Sequence, residues 1–135
     1  MDAKKYLGQL SSINFKISCK LEQLGILRSM IGTQSPSLKS DNVMSSPNQD
    51  KLESMVIKIC DLEKDINNLI DSKFEIINNI EKIEDSRQYK IVYFKYVNDM
   101  TIYEICDELK IKKRTAYSDL ERGTENIQRI IDGIA

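Results

Sequence analysis

The chain has 135 residues, with 20 Lys plus Arg against 21 Asp plus Glu, a net charge of -1, 5 Gly and 2 Pro. That length holds one compact unit or two small ones and excludes a large enzyme. A composition 41% hydrophobic and 30% charged, without Trp, is too apolar for a disordered chain and too poor in turn-formers for a β-sandwich, so an all-α fold is expected. From Tyr6, the series Leu10, Ile13, Ile17, Leu21, Leu24, Leu27 and Ile31 keeps steps of three and four, which predicts a first helix over about residues 3 to 31. Residues 32–49 hold both prolines and a cluster of Ser and Asn without periodicity, and read as a loop.

From Leu52 the series Met55, Ile59, Leu62, Ile66, Leu69, Lys73, Ile76, Ile80 and Ile83 alternates steps of three and four, the seam pattern of a coiled coil, broken only at Lys73. This predicts a second helix over about 50 to 84, roughly 50 Å long, with the first helix as its antiparallel partner across the loop. Val56, Ile70, Phe74 and Ile77 widen its apolar face, so something besides the first helix is expected against it. Asp85 and Ser86 offer a helix start before RQYKIVYFKYV, whose aromatic and aliphatic residues leave little polar face and mark a core element. Asn98 and Asp99 break it, and Thr101 with Glu104 three residues on gives a capping-box pattern for the short helix TIYEICDEL. A turn follows, then a last helix over about Lys113 to Asp132 with Gly123 weakening its middle. The expected organisation is a long antiparallel, coiled-coil-like helical hairpin over 1–85, its loop at 32–49, and a C-terminal module over 86–135.

The two helices around the tight turn have the requirements of a helix-turn-helix. Cys106 takes the small crossing position, Leu109 and Ile111 bracket the turn at Lys110, and Ala116 with Leu120 faces back. Lys112, Lys113, Arg114, Tyr117, Ser118, Glu121 and Arg122 are left facing outward. Residues 110–114 (KIKKR) carry four positive groups and no negative one, in a chain whose total is -1. Cations at the start of a helix oppose its macrodipole, a conflict that an anionic partner such as phosphate would relieve. A basic turn that merely faces water is the plain alternative.

Histidine is absent, which removes the commonest general base and metal ligand. Cys19, Cys60 and Cys106 are odd in number and widely separated, and are expected as reduced thiols in the core. Asp61, Glu63, Asp65 and Asp71 lie on a solvated helical face with no nucleophile beside them. No catalytic residue, metal or cofactor is expected. No run reaches the roughly 18 apolar residues of a membrane span, and the start MDAKKYLGQL has no apolar signal core, so a cytoplasmic protein without membrane contact is expected.

The segment YKIVYFKYVNDMTIYEICDELKIKKRTAYSDLERGTENIQRI resembles region 4 of bacterial sigma factors, where an aromatic-rich helix precedes a helix-turn-helix. The wider layout, with YL near the start, a Ser-rich loop carrying SS before KLES, and a helix containing DLE, resembles small sigma-region-4-like proteins of Gram-positive prophages. The resemblance implies a DNA-binding transcriptional regulator of phage or prophage genes. It places base contacts at Lys113, Arg114, Tyr117 and Ser118, phosphate contacts at Lys112 and Arg122, and Thr101 and Thr115 near helix starts where amides meet phosphates. Lys110 departs from the usual turn glycine, and Lys112 from the usual Ser or Thr cap. Nothing in residues 1–85 resembles the promoter-melting sigma domain, so the hairpin is expected to contact a second copy, as a homodimer, or RNA polymerase. Two alternatives stand beside this one: a small-terminase-like DNA-packaging protein, and a protein-interaction module that does not bind DNA.

Overall fold

The computed structural model describes residues 1–34 and 46–133, and among them the secondary structure is helical, without strands. Helix α1 spans Ala3–Gln34, α2 Ser46–Ile80, α3 Ser86–Val92, α4 Ile102–Leu109 and α5 Lys113–Ile131, with a π-helical turn at Tyr93–Val97 continuing α3. Both long helices reach further toward the expected 32–49 loop than the polar composition there implied. Once a helix is nucleated, each further residue adds a hydrogen bond, and Pro47 in the first turn of α2 sacrifices none. The rest of that expected loop, residues 35–45, lies outside the described residues. At its other end α2 stops at Ile80 rather than 84. Lys82 and Ile83 donate to Asn79 and Ile80 three residues back, at 3.2 and 3.1 Å, and this tightened turn delivers Ile83 to the core.

The chain forms two compact units, one of Met1–Asn14 with Asp71–Ala135, the other of Phe15–Ile70. The first unit holds the larger core. Ala3, Leu7 and Leu10 from α1, Ile76 and Ile80 from α2, Ile83, Val92 from α3 and Ile127 from α5 form one buried cluster, with Tyr6, Ile13, Tyr89, Tyr93, Tyr96 and Leu120 packed around it. Each fully buried Leu or Ile in such a cluster contributes about 1.5–3 kcal/mol. The N-terminus is tied in as well: the Ala3 amide donates to Gln128 Oε1 at 2.7 Å, and Asn79 Nδ2 to the Tyr6 hydroxyl at 2.6 Å.

In the second unit α1 and α2 bury Leu24, Met55 and Ile66. Lys20 pairs with Asp65 at 3.2 Å and Arg28 with Glu63 at 2.9 Å, surface links of modest strength. Two helices share only one narrow seam, so Leu21, expected in the buried stripe, stands half-exposed, and Ile26, Val56 and Ile57 are exposed too. Of the expected second flank of α2, Ile77 is buried and Ile70 half-buried, whereas Val56 and Phe74 are exposed. The cysteines are free, but Cys60 is exposed rather than in the core because it lies on the outer side of α2, while Cys19 and Cys106 are half-buried.

Gly123 has a different role from the one its helix propensity suggested. A Cβ built there would stand 2.5 Å from Val92 Cγ2 and 3.4 Å from the Gln88 carbonyl oxygen, so the glycine admits α3 against the α5 backbone. Gly123→Ala is therefore expected to cost about 1–3 kcal/mol through overpacking, although alanine is the better helix former. Gly25→Ala, at an exposed site with open space around it, is expected to gain about 0.5–1 kcal/mol. Thermal unfolding followed by circular dichroism checks both, and shifts of the same sign would contradict the close approach.

Candidate functional site

The candidate surface is built from α4, the turn at residues 110–112 and the first three turns of α5. Both halves of the capping box of α4 are present: Glu104 N donates to Thr101 Oγ1 at 3.2 Å, and Thr101 N to Glu104 Oε1 at 2.8 Å. The bond donated by the Thr101 amide, and after it hydrogen bonding with the Thr101 side chain, holds the Glu104 carboxyl below its ordinary pKa. The chain leaves α4 through Lys110, whose φ of 57° puts a lysine in the left-handed region where glycine is favoured. Lys110 N donates to Cys106 O, and Ile111 N reaches the same oxygen at 3.2 Å, so the first two amides of the turn are bonded within α4. Lys112 is extended and gives α5 no side-chain cap, and the first turn of α5 has no acidic residue.

The inner face of α5 fixes what its outer face presents. Ala116, Asp119, Gly123 and Ile127 recur at steps of three and four and are all buried. Asp119, 3% exposed, is a residue the sequence reading did not single out; it accepts from Arg87 Nε on α3. Asn126 Nδ2 donates to Gln88 Oε1 at 2.5 Å on the same seam. With that side committed, Lys112, Lys113, Arg114, Tyr117, Ser118 and Arg122 are exposed, and Thr115 is half-buried. Helical spacing sets Arg114, Ser118 and Arg122 in one row and Lys113 with Tyr117 in the next.

Lys113 is not free in solvent. Its Nζ donates to the Tyr103 hydroxyl at 3.0 Å and lies 4.5 Å from the centre of the Tyr103 ring. The hydrogen bond and the opposite charge lower the Tyr103 phenol from its ordinary pKa and raise the Lys113 ammonium. Tyr103 is 66% exposed. Sequence reading missed it, although a signal exists: it stands outside the apolar series Ile102, Ile105, Cys106 and Leu109 of α4, an aromatic with no core to enter. The acidic residues of α2 gather no site. Glu63 and Asp65 are taken up by Arg28 and Lys20, and among the described residues no three His, Cys, Asp or Glu side chains are placed to hold a metal ion. No described helix is long and apolar enough to cross a membrane.

Residues 33–128 match the family described as "Protein of unknown function (DUF1492)". The chain belongs to that family. No curated protein and no solved structure matches it. The matched span begins before α2 and covers α2, α3, α4 and nearly all of α5, so the basic turn and the α3–α5 seam lie within it.

Two outcomes test this local reading. Lys112→Asp supplies the missing cap and a charge that suits the helix dipole, and is expected to raise stability by about 1 kcal/mol in denaturant unfolding. The second concerns pH. The folded-state pKa of Glu104 is depressed, so its contribution is present above the unfolded-state pKa and is lost as pH falls through the folded value. Acidification should thus weaken the wild type more than Glu104→Gln, whose amide oxygen still accepts from Thr101, and parallel acid-unfolding curves would argue against the box.

Proposed function

We propose that the chain is a sequence-specific DNA-binding regulator of transcription, with α4, the turn and α5 acting as a helix-turn-helix. The carrying observation is the first turn of α5. Lys112, Lys113 and Arg114 stand exposed at a helix start that has neither a side-chain cap nor an acidic residue. For a purely structural helix this is the wrong sign of charge, and it costs stability that a cap would supply. A phosphate backbone reverses the balance, since both the amides and the cations then have an anionic partner.

In this reading α5 lies in a major groove, with Lys112, Lys113, Arg114, Tyr117, Ser118 and Arg122 toward the duplex and Thr115 near the first phosphates. Guanidinium and ammonium groups donate to guanine acceptors or phosphate oxygens, and the hydroxyls of Tyr117 and Ser118 to either. Helices α1 and α2 act as an antiparallel hairpin. The ion pairs support it, because Lys20 meets Asp65 while Arg28, further along α1, meets Glu63, earlier on α2. Exposed Leu21, Ile26, Val56 and Ile57 give that hairpin apolar surface for a protein partner, a second copy or RNA polymerase. The phage or prophage setting rests on the sigma-region-4 resemblance alone.

Purified protein incubated with fragments of its own genome under excess competitor DNA should retain a few fragments upstream of genes, and Lys113→Ala plus Arg114→Ala should lose them. About four to six phosphate contacts predict that log affinity falls against log salt with a slope of roughly -4 to -5. A flat salt response, or retention that does not depend on those side chains, would overturn the DNA reading. Lys112→Asp, stabilising for the fold, should bind DNA more weakly than the wild type.

A further inference from the structure

The pairing of Lys113 with Tyr103 joins the two helices of the motif at a point where a helix-turn-helix meets two different parts of DNA. The second helix enters the groove, while the first crosses the sugar-phosphate backbone. Lys113 begins the second helix, yet its ammonium is drawn across to the first, onto the ring and hydroxyl of Tyr103. We propose that Tyr103 and Lys113 form a two-residue clamp for a single backbone phosphate, with Tyr103 as positioning residue and direct donor, so that Lys113 contacts the backbone and not a base edge. This rests on the DNA-binding reading and divides the labour within that surface.

The donor count fits one phosphate. Lys113 spends one N–H on the Tyr103 oxygen and keeps two, and Tyr103, accepting that bond, keeps its own O–H to donate. Three donors within one hydrogen-bond length of each other suit the clustered oxygens of a phosphate better than the paired acceptors of one guanine. Holding the ammonium on the ring removes rotamers that a free lysine would have to lose on binding. Both groups are solvent-facing, with Tyr103 66% exposed, so the clamp is open to a ligand without rearrangement. Base reading then falls to Arg114, Tyr117 and Ser118.

The full-length protein and its Lys113→Ala, Tyr103→Phe, Tyr103→Ala and Arg114→Ala variants are compared by competition binding to retained fragments and to duplexes of unrelated sequence, at several salt concentrations. Lys113→Ala should weaken all duplexes by the same factor and flatten the salt slope by about 1, whereas Arg114→Ala should weaken retained fragments most. Tyr103→Phe, which keeps the ring but loses the hydroxyl, should lose about two- to fivefold, Tyr103→Ala more, and neither should change sequence preference. The Tyr103→Phe and Lys113→Ala effects should fall short of additive when combined, as for groups sharing one contact. A change of sequence preference in Lys113→Ala, full additivity, or unchanged affinity in Tyr103→Phe overturns the clamp while the DNA reading stands. No DNA binding by the wild type overturns both. Ultraviolet titration reports the pair without DNA: the Tyr103 phenol should ionise at lower pH in the wild type than in Lys113→Ala, and identical curves would overturn the pairing itself.

Discussion

The packing of α5 against α3 at Gly123 sets what the candidate surface can present. Val92 approaches the α5 backbone to a distance that no Cβ would allow, and Asp119, one turn before Gly123 and almost fully buried, is held there by Arg87. A carboxylate is costly to bury unless it is paired, so the Arg87 bond adds to the apolar contacts in setting the rotation of α5 about its own axis. Gln88 with Asn126 adds a third link on the same seam. With the inner face of α5 determined in this way, Lys113, Arg114, Tyr117, Ser118 and Arg122 have only the outer face to occupy.

That outer face is electrostatically unusual for a helix start. The turn that delivers α5 contains a lysine in the left-handed region and another lysine where a cap would sit, so two positions give up local stability. The helix before it is the opposite case, since α4 has a complete capping box. Local hydrogen bonds thus stabilise α4, while α5 is left open at the end carrying the cations. An uncapped start without acidic residues suits the proposed anionic partner, because a capped and acidic start would screen the same amides from a ligand.

The two long helices serve different ends along their length. Near Leu7, Leu10, Ile76 and Ile80 they supply core for the unit that contains α3 and α5, so this part of the chain is scaffold for the basic surface. Over Phe15–Ile70 they have each other as partners among the described residues, and apolar side chains such as Ile26 and Ile57 remain in solvent. Burying those side chains against another protein would be favourable by the ordinary area rule, which is why the proposed partner contact is placed on this unit.

Helical class, the periods of the long helices, the Asp85 and Thr101 starts and the outward listing of Lys112 to Arg122 were legible in the sequence, because each depends on residues a few positions apart. Periodicity, caps and charge runs are local signals and survive without tertiary context. The helix ends at Gln34, Ser46 and Ile80 were not legible, since propagation and core packing override composition there. Nor were the burial of Asp119, the need for glycine at 123, the exposure of Leu21 and Cys60, or the meeting of Tyr103 with Lys113. Each of these depends on which element lies opposite in space: Arg87 is 32 residues from Asp119 in sequence. The sequence by itself determined that the chain is helical and where its basic turn lies, while only the tertiary structure decided which side of α5 is committed to α3 and which tyrosine holds the first lysine of that helix.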